Sequence, residues 1–179
     1  LFIINFLLIK LFKLSSSIFL KIKISDFKTL SVFLKSKTSI IELERVLKKP
    51  AQIKSLYKLL NQRKYSISSS KKPSFSEHTR FVRAHPYRAW YLIEVNNTHI
   101  GSIYIQRDNS IGVNLLDENN ALVPSILQQL LLRWKPLTSI PSVRPAGFFT
   151  NVPSANSALQ KEIQKMGGKH IQNTYTVSI

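Results

Sequence analysis

The side chains able to carry chemistry are few, and their spacing excludes several kinds of site. The 179-residue chain contains no cysteine, so it has no disulfides, no thiolate metal ligands and no cysteine nucleophile. Its histidines are scattered without metal-ligand spacing, and we therefore expect no metal: they are His78, His85, His99 and His170. The polar side chains that remain as candidates are Glu94, Asn114, Asn151 and Asn156.

The basic charge of the chain is concentrated toward its start. Residues 1–72 carry 16 basic and 3 acidic side chains, a net charge of +13, whereas residues 73–179 carry 10 and 6, a net charge of +4. Such an excess favours phosphate-bearing partners or anionic membrane surfaces in general. No helix-turn-helix, zinc-finger or RNA-recognition signature is present, so we expect no nucleic-acid partner. The lack of cysteine fits a reducing compartment, and we expect the cytoplasm.

Residues 1–38 form an apolar and basic leader of Leu, Ile, Phe, Lys and Ser. Their longest uncharged run, residues 1–9, is shorter than the roughly 20 residues of a spanning helix. No signal-peptide cleavage site follows it. Two interpretations stay open: the leader is not functional sequence, or it is a basic amphipathic helix that contacts a membrane surface. We expect one domain over residues 39–179.

Two helices are predicted near the start of this domain. Alternation at residues 41–44 indicates a short strand, and apolar spacing predicts a helix over residues 50–63. Ser74 and Glu77 have the spacing of a capping box, which predicts a second helix behind them. The inner face of that second helix is predicted to contain Phe75, His78, Phe81 and Val82.

The middle of the chain predicts a three-stranded meander followed by the strongest helix. Aromatic and β-branched runs at residues 90–95, 100–105 and 111–116 are separated by asparagine-containing turns. Pro124 suits the first turn of the helix that follows, where a missing N–H costs nothing. The apolar face of that helix comprises Val123, Ile126, Leu127, Leu130, Leu131 and Trp134.

The remaining elements complete a mixed α/β sheet. Residues 148–152 are predicted to be a short buried strand, and residues 170–177 a last strand. Between them, Ser157 and Gln160 are predicted to open a helix that ends at a Gly-Gly pair. Its inner face is predicted to contain Leu159, Ile163 and Met166.

Several short stretches within residues 39–179 carry a resemblance to a known family. Residues 85–93 and 100–105 look like a bacterial subgroup of it, and residues 151–156 and 165–169 resemble its N-V-x-x-x-N and K-L-G-F-K motifs. The family is the GCN5-related N-acetyltransferases. The resemblance implies the acyl-CoA N-acyltransferase fold, which is a mixed, mostly antiparallel central sheet flanked by about four helices and splayed between its fourth and fifth strands.

The resemblance also implies where acetyl-CoA would bind. The acyl-pantetheine arm would lie along the fourth strand, and the pyrophosphate at the helix start over residues 120–125. That stretch lacks the arginine and both glycines of the family's R/Q-x-x-G-x-G/A loop, and Pro124 has no N–H to donate. Each implied role has a structural alternative. Val113 and Leu115 could simply be core strand residues, and residues 120–125 a helix start without a ligand. Asn151 and Asn156 could cap a helix or form turns. The implied cofactor-binding residues are Val113, Leu115, Asn120, Ala121, Leu122, Val123, Ser125, Asn151 and Asn156.

The catalytic residues cannot be assigned from the resemblance. A family glutamate on the fourth strand corresponds to Asn114, which is no base. Glu94 on a neighbouring strand could serve through water, and the simpler interpretation of Glu94 is a solvated strand residue. The family's acidic tyrosine corresponds to Ile163. The resemblance implies transfer of an acetyl group from acetyl-CoA to a primary amine of a small molecule, an amino sugar by analogy.

Two other functions stay open. One is a binding module that has lost its chemistry. The other is a basic nucleic-acid binder, for which Arg88, Trp90 and Tyr91 could stack a base, although packing of a strand start on the core explains them more simply.

Overall fold

The structure, a computed structural model, describes residues 40–65, 71–175 and 177. The predicted leader at residues 1–38 lies outside the described residues, and so does its expected membrane contact. Among the described residues, no helix has the length and apolar content needed to cross a membrane. The elements are β1 (Ile41–Arg45), α1 (Pro50–Gln62), α2 (Phe75–Ala84), β2 (Ala89–Val95), β3 (Thr98–Ile105), β4 (Ser110–Leu115), a 3-10 helix (Asp117–Leu122), α3 (Val123–Arg133), β5 (Phe149–Thr150) and α4 (Ser157–Lys165).

The sheet has the strand order β1-β2-β3-β4-β5, so the predicted meander is confirmed. The first four strands are antiparallel neighbours, and β5 alone is parallel, to β4. Asn96 and Asn97, with φ of 49° and 60°, form the tight turn between β2 and β3. Positive φ at both positions matches the twist of a two-residue hairpin, which explains the asparagines there.

The two faces of the sheet bury separate cores. Successive side chains of a strand point to opposite faces, so Tyr91 and Ile93 pack with α3, whereas Trp90 and Leu92 pack with α1 and α2. Arg88 lies over the ring of Trp134 with its guanidinium carbon 4.9 Å from the ring centroid. The packing interpretation of Arg88, Trp90 and Tyr91 is therefore confirmed.

Four residues predicted to be on inner helix faces are exposed instead. Met166 is 41% exposed because α4 ends at Lys165 and the chain then leaves the helical path at Gly167, where φ is +87°. Leu131 of α3 is 38% exposed at the margin of its apolar face. Phe81 of α2 is 45% exposed because it lines a cavity, described below, and Phe75 is 43% exposed with its ring against Tyr57 at 5.1 Å.

The end of the predicted sheet is the largest error. The strand expected at residues 170–177 is absent from the described residues 170–175 and 177, where Ile171, Tyr175 and Val177 are 75%, 80% and 90% exposed. The strand expected at residues 148–152 is only Phe149–Thr150. So short a strand offers almost no backbone edge for a sixth strand to pair with, and an alternating apolar pattern alone does not form a ladder.

Candidate active site

A cleft opens where β4 and β5 stop pairing. Their parallel pairing is limited to Ser110 with Phe149 and Ile111 with Thr150. Beyond these pairs lies a cleft of about 70 Å³, which we call the strand cleft. The edge of β4 that faces it has no strand partner past Ile111 among the described residues, so its backbone groups can bond an extended ligand. Its lining includes Gly112, Val113, Asn114, Leu115, Asn151, Pro153 and Asn156.

Four of the nine predicted cofactor-binding residues line the strand cleft. Val113 and Leu115 contribute from β4, and Asn151 and Asn156 from the opposite side. Asn156 is 8% exposed, and its Oδ1 accepts a hydrogen bond of 3.1 Å from the backbone N–H of Leu159. The capping interpretation of Asn156 is thus confirmed, and Asn156, not Ser157, is the N-cap of α4. Asn151 is exposed and does not cap α4.

The other five predicted residues do not line the strand cleft or the larger cavity beside it: Asn120, Ala121, Leu122, Val123 and Ser125. The 3-10 helix runs directly into α3, and the N–H of Val123 bonds to the carbonyl of Asn120. Since Pro124 has no N–H, two donors at this helix start are unavailable to a phosphate. Asp117 and Glu118 in the first turn add negative charge. This helix start therefore offers a weaker anion site than the family loop.

A larger cavity of about 380 Å³ adjoins the strand cleft, and we call it the aromatic cavity. It lies between α1, α2 and the strands β2, β3 and β4. The rings of Tyr87 and Tyr104 stack with centroids 4.1 Å apart and an interplanar angle of 8°, and Trp90 meets Tyr87 edge-on at 5.1 Å. Phe81 completes this wall, 6.1 Å from Trp90.

Four residues line both the strand cleft and the aromatic cavity, so the two adjoin at a junction: Arg63, Tyr104, Asn114 and Leu115. Nη1 of Arg63 approaches Oδ1 of Asn114 at 3.5 Å. Tyr104 pairs with Gly112 across β3 and β4, and its phenol lies where a Cβ of residue 112 would stand. Glycine at 112 thus lets the Tyr104 hydroxyl reach the junction.

Burial shifts the pKa of two groups in the aromatic cavity and leaves two nitrogens there without a hydrogen-bond partner among the described residues. Burial, with a smaller effect of the neighbouring Tyr104, raises the pKa of Tyr87 well above its ordinary value, so Tyr87 stays protonated. Burial lowers the pKa of His78, and a hydrogen bond to the backbone of Ile53 opposes this in part. His78 is therefore neutral at pH 7. Its Nε2 and the Nε1 of Trp90 are both buried without a hydrogen-bond partner.

Glu94, the alternative base, lies elsewhere. Its carboxylate is 3.4 Å from Nε2 of His99, which also contacts a carboxylate oxygen of Glu44 at 2.9 Å. Glu94 lines neither cavity. These three side chains come together across three strands and could hold a metal ion, a grouping that spacing along the sequence does not show. The expected absence of a metal stays a prediction.

Sequence reasoning missed the aromatic cavity. Tyr87, Tyr104 and Arg63 were not candidates, and Trp90 was assigned to the core or, as the alternative, to the stacking of a base. The available signal was weak: Ser102 and Tyr104 share a β3 face, and strand pairing aligns that face with Trp90 and Leu92. The helices that close the cavity approach this face only in the folded chain.

Comparison with known proteins supports the fold. No protein-family model matches the chain, and no curated protein matches it in sequence. Among solved structures, aminoglycoside N-acetyltransferase AAC(6')-Iy in complex with CoA is 12% identical with a TM-score of 0.53, over 80% of this chain and 97% of the other. The same enzyme with the bisubstrate analogue CoA-S-monomethyl-acetylneamine gives 12% identity and a TM-score of 0.52, over 79% and 99%. The chain therefore has the acyl-CoA N-acyltransferase fold that its sequence resemblance implied.

Proposed function

We propose that the protein is an N-acetyltransferase that moves an acetyl group from acetyl-CoA to a primary amine of a small molecule. One observation carries the proposal: the strand cleft, with an unpaired β4 edge, adjoins a partly open cavity of about 380 Å³, which is large enough for a small acceptor. Structures of the same fold hold CoA and a bisubstrate analogue. Val113, Leu115 and Asn151 would hold the pantetheine arm, and the acceptor would occupy the aromatic cavity.

We expect the positioning of the two reactants to supply most of the rate acceleration. The acceptor nitrogen attacks the thioester carbonyl carbon at the junction, a C–N bond forms, the C–S bond breaks, and the thiolate takes a proton. The nitrogen loses one proton as it becomes the amide, and this proton restores the proton donor through solvent. Tyr104 is the proposed donor of that proton, since its hydroxyl is the proton-bearing side-chain oxygen at the junction. Holding both reactants in adjoining cavities makes the step effectively unimolecular.

No carboxylate or histidine is among the four residues that line the junction. The acceptor would then lose its ammonium proton to solvent before it binds. On this account kcat/KM rises with pH in proportion to the free-amine fraction and levels off near the acceptor's own pKa.

The degenerate binding module is the second candidate function. The observation that favours it is the helical start of α3, where Val123 and Pro124 offer no free N–H to a pyrophosphate. Such a module would bind acetyl-CoA or an amine without turnover. We propose the cytoplasm as the compartment for either candidate, in keeping with the lack of cysteine.

The test is a thiol-release assay on the full chain with acetyl-CoA and a panel of primary amines. Since the protein has no cysteine, every free thiol that a thiol reagent detects comes from CoA. Amine-dependent thiol release, with the acetylated amine identified by mass spectrometry, is the expected result. Binding of acetyl-CoA without release would favour the binding module, and neither binding nor release by folded protein would reject both.

A further inference from the structure

The aromatic cavity has the wrong charge for a polycation. Among the described residues that line it, two side chains are cationic, Arg63 and Lys71, each with partners of its own, and one is a carboxylate, Glu77. That carboxylate is engaged in capping α2: Oε2 of Glu77 lies 2.7 Å from both the backbone N–H and the hydroxyl of Ser74. An acceptor with several ammonium groups would meet two like charges and find its one counter-charge already hydrogen-bonded.

The wall of the cavity favours a flat body. The stacked rings of Tyr87 and Tyr104 and the edge-on rings of Trp90 and Phe81 form one continuous aromatic side. Leu56, Leu59 and Leu60 of α1 oppose it with apolar surface. A planar or apolar group would lie between these surfaces with little polar atom burial.

Two buried nitrogens, one in this wall and one beside it, have no hydrogen-bond partner among the described residues. Trp90 and His78 are 7% and 6% exposed, and neither Trp90 Nε1 nor His78 Nε2 has a partner. A buried polar group without a partner costs about 1–3 kcal/mol, so native proteins rarely retain one without a reason. Indole Nε1 is a donor, and Nε2 of a neutral His78 bonded to Ile53 through its other nitrogen is an acceptor.

We infer that the acceptor is a monoamine built on a flat, apolar or aromatic body that also carries an anionic group, carboxylate or phosphate, facing Arg63 and Lys71. This inference rests on the proposed function and narrows its acceptor. Arg63 stands at the junction, and Lys71 lines only the aromatic cavity. An anionic group held between them would fix the acceptor by its charged end while the amine reaches the acetyl group.

The experiment compares acceptors that differ in one group. Phenethylamine, 4-(2-aminoethyl)benzoate, the matching phosphonate and kanamycin are supplied to the full chain with acetyl-CoA. We expect at least one anionic amine to show kcat/KM about tenfold or more above phenethylamine, as an added favourable charge pair implies, with kanamycin below both. The carboxylate and phosphonate arms identify which anion fits. Kanamycin as the best acceptor would overturn the inference and leave the proposed function standing.

Matched variants locate the effect. The double variant Arg63→Gln/Lys71→Gln should abolish the preference for the anionic amine. The double variant Lys54→Gln/Lys58→Gln removes the same charge from the exposed face of α1 and should retain it. Equal loss in both pairs would show a general effect of net charge and overturn the inference. Circular dichroism confirms that each variant is folded.

A binding readout separates this inference from the proposed function. The chain has two tryptophans, so Trp134→Phe leaves Trp90 as the one fluorophore of its kind. The anionic amine should change Trp90 emission at concentrations at least tenfold below those that phenethylamine requires. Binding by this readout without acetylation would reject the proposed function and keep the ligand class. Acetylation without any preference between the two amines would keep the proposed function and reject the inferred ligand class.

Discussion

Gly112 is the position where one added methyl group should report on the junction. A Cβ there would stand 2.0 Å from Cζ and 2.4 Å from the hydroxyl oxygen of Tyr104, whereas ordinary contact begins at 3.4 Å. In Gly112→Ala the phenol would have to retreat by about 1.4 Å, the difference between 2.0 and 3.4 Å. Tyr87, whose ring stacks on that of Tyr104 with centroids 4.1 Å apart, restricts where the phenol can go.

The expected cost follows from three terms. Overpacking of this kind costs about 1–3 kcal/mol. Loss of the Tyr87–Tyr104 stack adds about 0.5–1.5 kcal/mol. Removing a strand glycine returns about 0.5–1 kcal/mol, because alanine loses less backbone freedom on folding. We therefore expect Gly112→Ala to lower the free energy of unfolding by about 0.5–4 kcal/mol, the combined range of these terms.

Urea denaturation followed by circular dichroism measures this, in a double-mutant cycle with Tyr104→Ala. Without the phenol, Gly112→Ala should be neutral or stabilising, so the coupling energy should be at least about 1 kcal/mol. Gly147→Ala is the matched control, since a Cβ there meets nothing within 4 Å. Equal cost of Gly112→Ala with and without Tyr104 would refute the placement of the phenol.

Three further predictions follow from the site. Tyr104→Phe should lower kcat about tenfold, which is less than the roughly 10²–10⁴-fold typical of a general acid because a thiolate leaves readily. Acetyl-CoA affinity by calorimetry should be unchanged, and an unchanged kcat would remove the role of Tyr104 as acid. Asn156→Ala should lower stability in urea by about 1 kcal/mol, since Leu159 loses its capping partner; no loss would refute the cap. Burial lowers the pKa of His78 from 6.5, so the unfolded chain binds more protons than the native one below that pH. The free energy of unfolding should therefore fall as pH drops through 6.5. In urea titrations, His78→Gln should make this pH dependence shallower. The pH dependence that remains reflects His85, whose pKa burial also lowers.

Local signals were sufficient for most of the fold. The capping box of Ser74 and Glu77 closes as expected, with Glu77 N–H bonded to the Ser74 hydroxyl at 3.3 Å. The Asn96-Asn97 turn and the apolar face of α3 were equally readable, because each depends on residues close together in sequence. An element that depends only on interactions between residues close in sequence can be predicted from those residues.

The errors concern contacts between distant residues. The alternating pattern at residues 170–177 predicts a strand, but β5 is too short to receive one. The exception is local: Asn156, not Ser157, is the N-cap, because its side chain accepts a hydrogen bond from Leu159 three residues later. The aromatic cavity needs α1, α2 and three strands at once, and no single window of sequence contains it.

The candidate site was predicted in part for the same reason. Val113 and Leu115 line the strand cleft, as predicted, because alignment to a strand gives the positions of its residues directly. The stretch from Asn120 to Ser125 was assigned by alignment to a glycine-rich loop, yet without glycines it continues as 3-10 and α-helix. Its role in pyrophosphate binding stays a prediction.

The central claim is that the strand cleft binds acetyl-CoA, and calorimetric titration of acetyl-CoA into the full chain tests it most directly. The account predicts micromolar binding, about −8 kcal/mol. Asn151→Trp, at an exposed residue of the cleft, should weaken it at least tenfold, whereas Gln164→Trp on the exposed surface of α4 should not. Undetectable binding by folded wild-type protein at millimolar acetyl-CoA, or equal binding by Asn151→Trp, would contradict the account.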